Sequence, residues 1–139
     1  MTALLSNFTS LCEERQALIV SCENRCEHRA SNPDRNLVRH FQIDGIVLKD
    51  GIKCDFLLLN DEKKSAYYIE LKGSDILHAI SQVEETARRL GQQLCGYTQL
   101  YRIVYGSGTH ALQTRRVTEW KAKNRRKEKI KLRELKEVI

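Results

Sequence analysis

KCDFLLLNDEKKSAYYIELKG, residues 53–73, sets two apolar runs on either side of the polar connection NDEKKS. Runs rich in β-branched and aromatic residues, joined by a short polar linker, predict two antiparallel strands. Three charges, Asp55, Glu70 and Lys72, interrupt those runs. Side chains alternate across a strand, so Tyr68, Glu70 and Lys72 share one face while Tyr67, Ile69 and Leu71 take the other. If the two runs pair, Asp55 comes alongside Glu70. Two carboxylates that close repel each other unless a cation lies between them. Such oxygen ligands suit Mg²⁺, which keeps part of its water shell and can also bind a phosphate. A neighbouring ammonium can orient a water and neutralise charge developing on phosphoryl oxygens. Taken alone, a Glu-x-Lys triplet also reads as an exposed ion pair on an edge strand.

Working outward, the period changes after Lys72. Ser74 or Asp75 can cap a helix whose Ile76, Ile80, Val83, Ala87 and Leu90 form one apolar stripe, with Gly91 as its stop. QLYRIVYG, residues 99–106, reads as a strand. On the other side, Asp50-Gly51 inside IVLKDGIKCDFLLL carries a hairpin signal. NLVRHFQIDG and ALIVSC read as further strands, separated by a polar loop that holds the only proline. Leu4, Leu5, Phe8, Leu11 and Cys12 recur at helical spacing and predict a first helix over 3–14. A helix around Trp120 and a short strand at KIKLREL complete the chain.

Length and composition fit one globular domain spanning 1–139: 139 residues, 41% hydrophobic and 30% charged. No apolar run approaches the roughly 18 residues that span a bilayer, and no basic run leads into a signal-like segment, so a cytoplasmic protein without a membrane partner is expected. Five cysteines, an odd number, indicate reduced thiols. The net charge of +6 is concentrated in residues 115–139, which hold 11 Lys/Arg against 4 Asp/Glu. Arg115, Arg116, Lys121, Lys123, Arg125, Arg126 and Lys127 are candidate phosphate contacts, which would release counterions on binding a nucleic acid. A solvated helix face accounts for the same run equally well.

Cys54-Asp55 followed by Ile69-Glu70-Leu71-Lys72-Gly73, in this strand–strand–helix context, resembles the PD-(D/E)XK phosphodiesterase superfamily and is most like its small junction-resolvase branch. The resemblance covers about residues 3–105. It implies a restriction-endonuclease-like α/β core of order α-β-β-β-α-β, a mixed central sheet flanked by helices, with residues 115–139 as a basic extension. It implies a Mg²⁺- or Mn²⁺-dependent DNA nuclease that hydrolyses phosphodiester bonds, acting in repair, recombination or defence, and often dimeric. Asp55, Glu70 and the Leu71 carbonyl would be metal ligands and Lys72 the catalytic lysine. Cys54 replaces the proline of the motif, and Gln82 followed by Thr86 departs from the Gln-x-x-x-Tyr signature of one branch. Gln82 is then either an accessory residue or a solvent-facing one. Many relatives carry an acid on the first helix, a role for which Glu13 and Glu14 are candidates. Asp44 is a further candidate acid, or a turn residue beside Gly45. Two alternatives stand beside the nuclease: a noncatalytic binding module that keeps the fold, and a regulator holding zinc through Cys12, Cys22, Cys26 and His28.

Overall fold

The computed structural model describes residues 4–72, 74–107 and 110–139. Ala3, at the start of the expected first helix, and Gly73, closing the expected motif, lie outside them. Among the described residues the chain is mixed α/β, with two sheets and two α-helices. The strands are β1 (Leu18–Glu23), β2 (Cys26–Ser31), β3 (Val38–Gln42), β4 (Phe56–Asn60) and β5 (Ser65–Lys72), then β6 (Thr98–Tyr105), β7 (Glu128–Leu132) and β8 (Glu134–Val138). Helices α1 (Ile76–Leu90) and α2 (Arg115–Lys123) flank β6 in sequence.

The larger sheet runs β3-β4-β5-β6-β7. Its first three strands are antiparallel neighbours, whereas β6 and β7 each join in parallel through a helical crossover. Alternation divides its side chains between two cores. Leu57, Leu59, Tyr68 and Ile103 pack beneath Ile76, Ile80 and Val83 of α1 and Val117 and Trp120 of α2. Leu58, Tyr67, Ile69, Leu71 and Val104 pack the opposite way, onto Ile19, Ala30 and Leu135 of the smaller sheet, β1-β2-β8. The helices therefore cover one face only, and the small sheet covers the other where flanking helices were expected.

The hairpin of β4 and β5 turns through Asp61–Lys64, with Phe56 opposite Ile69 and Asn60 opposite Ser65. Helix α1 is capped by the Asp75 carboxylate, which accepts from the His78 amide, and it buries the apolar stripe read from the sequence.

Four expectations are corrected. The first helix does not form: only Leu5–Asn7 make a single 3₁₀ turn. Ser6, Asn7, Thr9 and Ser10 compete for the backbone there, and the Ser10 hydroxyl accepts from the amides of Cys12 and His40. Asp50-Gly51 is a turn with Gly51 at φ +76°, but it closes no hairpin. Val47 and Leu48 leave the chain's path to enter the core, and β4 pairs with β3 instead. The segment taken for a polar loop holds β2, whose alternating Cys26, His28 and Ala30 are buried. Finally, residues 115–139 are no appendage. Helix α2, β7 as an edge of the large sheet and β8 against β2 are all integral, and Arg133 at φ +60° breaks what was read as one strand into two.

Candidate active site

Asp55 immediately precedes β4, and its own amide donates at 3.1 Å to the carbonyl of Ile69, the residue that Phe56 already pairs with, so the ladder slips by one residue here in the manner of a β-bulge. Glu70 lies on the face of Tyr68 that looks toward α1, and Asp55 sits beside it at the start of β4. The two carboxyl groups are in mutual hydrogen-bonding reach. Both are buried, Asp55 to 6% exposure and Glu70 to 2%. Asp55 Oδ2 accepts from the Leu71 amide at 2.8 Å, whereas Glu70 Oε1 is buried without a partner.

Burial pushes Asp55 up to about 7; the Leu71 amide opposes this and the nearby Glu23 carboxyl adds to it. Burial, reinforced by the Asp55 charge, pushes Glu70 up to about 9, against the opposing charge of Lys72. The pair thus holds a proton near neutrality in the absence of another positive charge, with Glu70 the side that keeps it. Lys72 lies on the same face, half-buried, with its charge acting on Glu70.

Helix α1 fixes the approach to Asp55. Thr86 Oγ1 accepts from the Cys54 amide at 2.8 Å while donating to the Gln82 carbonyl, and Gln82 Nε2 donates to the Lys53 carbonyl at 3.0 Å. Gln82 is therefore not a solvent-facing residue. With Thr86 it clamps the peptide units ahead of the aspartate, and its Oε1 is buried without a partner.

Two residues absent from the sequence reading reach the site from the tip of the β1–β2 hairpin. Glu23 lies within hydrogen-bonding reach of Asp55. Asn24 Nδ2 donates to the Leu71 carbonyl at 2.9 Å, so the third expected ligand already has a partner. Asn24 and Arg25 both adopt left-handed backbone, φ +52° and +59°, as a two-residue hairpin turn with right-handed strand twist demands. The one signal was Asn24 itself, a residue tolerant of that region, between two stretches of alternating character.

The other candidates lie elsewhere. Glu13 and Glu14 are exposed, and the Glu14 carbonyl accepts from Val38, at the end of β3 remote from Asp55. Asp44 sits beside Asp55 through its backbone, but its carboxylate is exposed and pairs with Lys53 at 3.5 Å. Arg115 and Arg116 pair with Glu119 and Glu84. Lys123, Arg125, Arg126 and Lys127 are exposed and have no ion pair among the described residues. The zinc candidates are dispersed by their partners: Cys12 toward the Val38 carbonyl, Cys22 toward Glu27, Cys26 toward the Lys72 carbonyl, and His28 Nε2 on Glu137 at 2.7 Å. Among the described residues no group of three or more His, Cys, Asp or Glu has the spacing of a metal site.

No family model, curated protein or solved structure matches this chain.

Proposed function

We propose that this chain is a divalent-cation-dependent DNA nuclease with a restriction-endonuclease-like core. What carries the reading is the paired, buried carboxyls of Asp55 and Glu70, with Glu70 Oε1 lacking any partner. Two acids stored side by side at such a cost in solvation suit a cation better than they suit a fold. The antiparallel β3-β4-β5 meander followed by α1 and parallel β6 supports the core assignment.

Asp55 and Glu70 would hold Mg²⁺ or Mn²⁺, with the Leu71 carbonyl available once Asn24 releases it. When bound, the ion supplies Lewis acidity and lowers the pKa of a coordinated water. Asp55 is held rigid by the Leu71 amide and by the Gln82 and Thr86 clamp. The Lys72 ammonium orients the attacking water and offsets charge on the phosphoryl oxygens.

The opposing reading, a noncatalytic module that keeps the fold, draws on Asn24 occupying the Leu71 carbonyl. Incubating linear, single-stranded, flapped and four-way-junction DNA with wild type and Glu70→Ala, with and without Mg²⁺ or Mn²⁺, separates the two. The nuclease reading expects cation-dependent cleavage that the variant lacks; equal cleavage by both proteins overturns the site, and no cleavage of any form supports the module.

A further inference from the structure

The carboxylate end of the large sheet is a poor place to bind a polyanion. Glu23, Asp44 and Asp75 stand around Asp55 and Glu70 with their backbones at the same end of the strands, and such charges repel phosphate. Further affinity for the DNA backbone calls for cations clear of those acids. Among the described residues, Lys123 at the end of α2 and Arg125, Arg126 and Lys127 in the turn leading to β7 make a compact run of four exposed cations without an ion pair.

That turn is rigid in its backbone and free in its charges. Asn124 ends α2 by donating both its amide and its side-chain nitrogen to the carbonyl of the buried Trp120. The Lys127 carbonyl accepts from the Tyr101 amide at 2.7 Å and from Arg102 Nη1 at 3.0 Å, and Arg102 is itself buried on Glu137. Arg126 is held at φ +70°. Two cations would be ample to complement the C-terminal dipole of α2, yet four project here without an acid.

Register fixes where the turn lies. Glu70 is level with Ile103, and Ile103 with Ile130. Lys127 is thus three residues back along the strand axis, about 10 Å, and two strands across, about another 10 Å. The backbone separation is roughly 14 Å, and the long side chains extend it. No group at that distance touches the phosphate being cut. It matches instead a stretch of roughly four to six base pairs, at about 3.4 Å per pair. A fixed offset rewards a stiff ligand, which duplex DNA is over such lengths, whereas a flexible single strand held across it loses conformational entropy.

We infer that the basic turn of Lys123, Arg125, Arg126 and Lys127 is a second anchor, gripping the backbone of duplex DNA several base pairs from the point of cleavage. The place of the cut rests on the nuclease reading; the anchor does not. The test joins Lys123→Gln, Arg125→Gln, Arg126→Asn and Lys127→Gln, with asparagine chosen for the left-handed position. Both proteins carry Glu70→Gln, and binding to a duplex and to a single strand of equal length is followed by fluorescence anisotropy against salt. Loss of four phosphate contacts should flatten the log Kd against log salt slope for duplex by about 3.6 and weaken binding about tenfold or more at low salt. Single-strand binding should change less than about threefold. An unchanged duplex slope, or an equal loss on single strand, overturns the inference. Duplex binding that depends on the turn, with no Mg²⁺- or Mn²⁺-dependent cleavage by the chain with Glu70 intact, would leave the anchor standing and sink the nuclease; cleavage by the chain with Glu70 intact, with an unchanged slope, would do the reverse.

Discussion

The Asn24 side-chain amide meets the Leu71 carbonyl at 2.9 Å, tying the hairpin tip of the small sheet to the strand that carries Glu70 and Lys72. An amide proton there occupies the position in which a cation would otherwise draw on the same oxygen. Asn24→Ala should therefore tighten Mn²⁺ binding by a few-fold, read by isothermal titration calorimetry. Weaker binding in the variant would show that Asn24 helps the cation rather than competing with it.

The Glu70 carboxyl has a direct consequence for stability. Its folded pKa, about 9, lies above the ordinary glutamate value, so without divalent cations the folded state keeps a proton that the unfolded chain loses. Its contribution is present at low pH and is lost as pH rises from about 4.5 toward 9. The isosteric Glu70→Gln cannot ionise. Cation-free melting curves should show the wild type losing Tm relative to the variant between pH 6 and 9. Parallel curves would mean that Glu70 is not held protonated by its surroundings.

Thr86 bonds the Cys54 amide immediately before the aspartate. Thr86→Val keeps the volume but leaves that amide buried and unpaired, a loss of about 1–3 kcal/mol. If the clamp positions Asp55, kcat should drop about tenfold or more while KM for DNA stays within about twofold. A fall in stability with kcat intact would confine Thr86 to the fold.

Between the sheets, Glu137 accepts from His28 Nε2 and from Arg102 Nε, both at 2.7 Å, with all three side chains at most 5% exposed. Burial alone would raise this carboxyl, yet His28 and Arg102 draw it down to about 2. Its stabilising contribution is present above the ordinary carboxylate range and is lost as pH falls toward about 2. Glu137→Ala strands a buried guanidinium and should cost roughly 3–5 kcal/mol in urea denaturation. A loss under about 1 kcal/mol would show that water replaces the carboxylate.

The elements around the candidate site were legible where local pattern and burial agree. Apolar Phe56–Asn60 and Ser65–Lys72 with a short polar turn could be little else than paired strands, and that pairing brings Asp55, just before the first, near Glu70 on the second. The stripe of α1 was as plain, being one apolar face under a carboxylate cap. The segments that failed are those whose partners are distant in sequence. Strand β2 looks polar because even its buried face carries His28, which answers Glu137, 109 residues away, a link no local window contains. Asp50-Gly51 has the local chemistry of a hairpin, but β3 outcompeted the segment before it for β4. Asn24 and Glu23 join the site only because the small sheet folds over the large one. The role of Gln82 was hidden by its place on an amphipathic helix, where a polar residue reads as wetted.

Strand β8 supplies the third member of the small sheet, pairing in parallel with β2 from Glu27–Glu134 to Ser31–Val138. During synthesis, the ribosome delivers β1 and β2 more than a hundred residues before the strand that completes their sheet. The lone hairpin is marginal in water until then, so Asn24 and Glu23 reach their places late. The polypeptide emerges with its acidic pair joined early by the β4–β5 hairpin and covered last, after nearly every other strand has been translated.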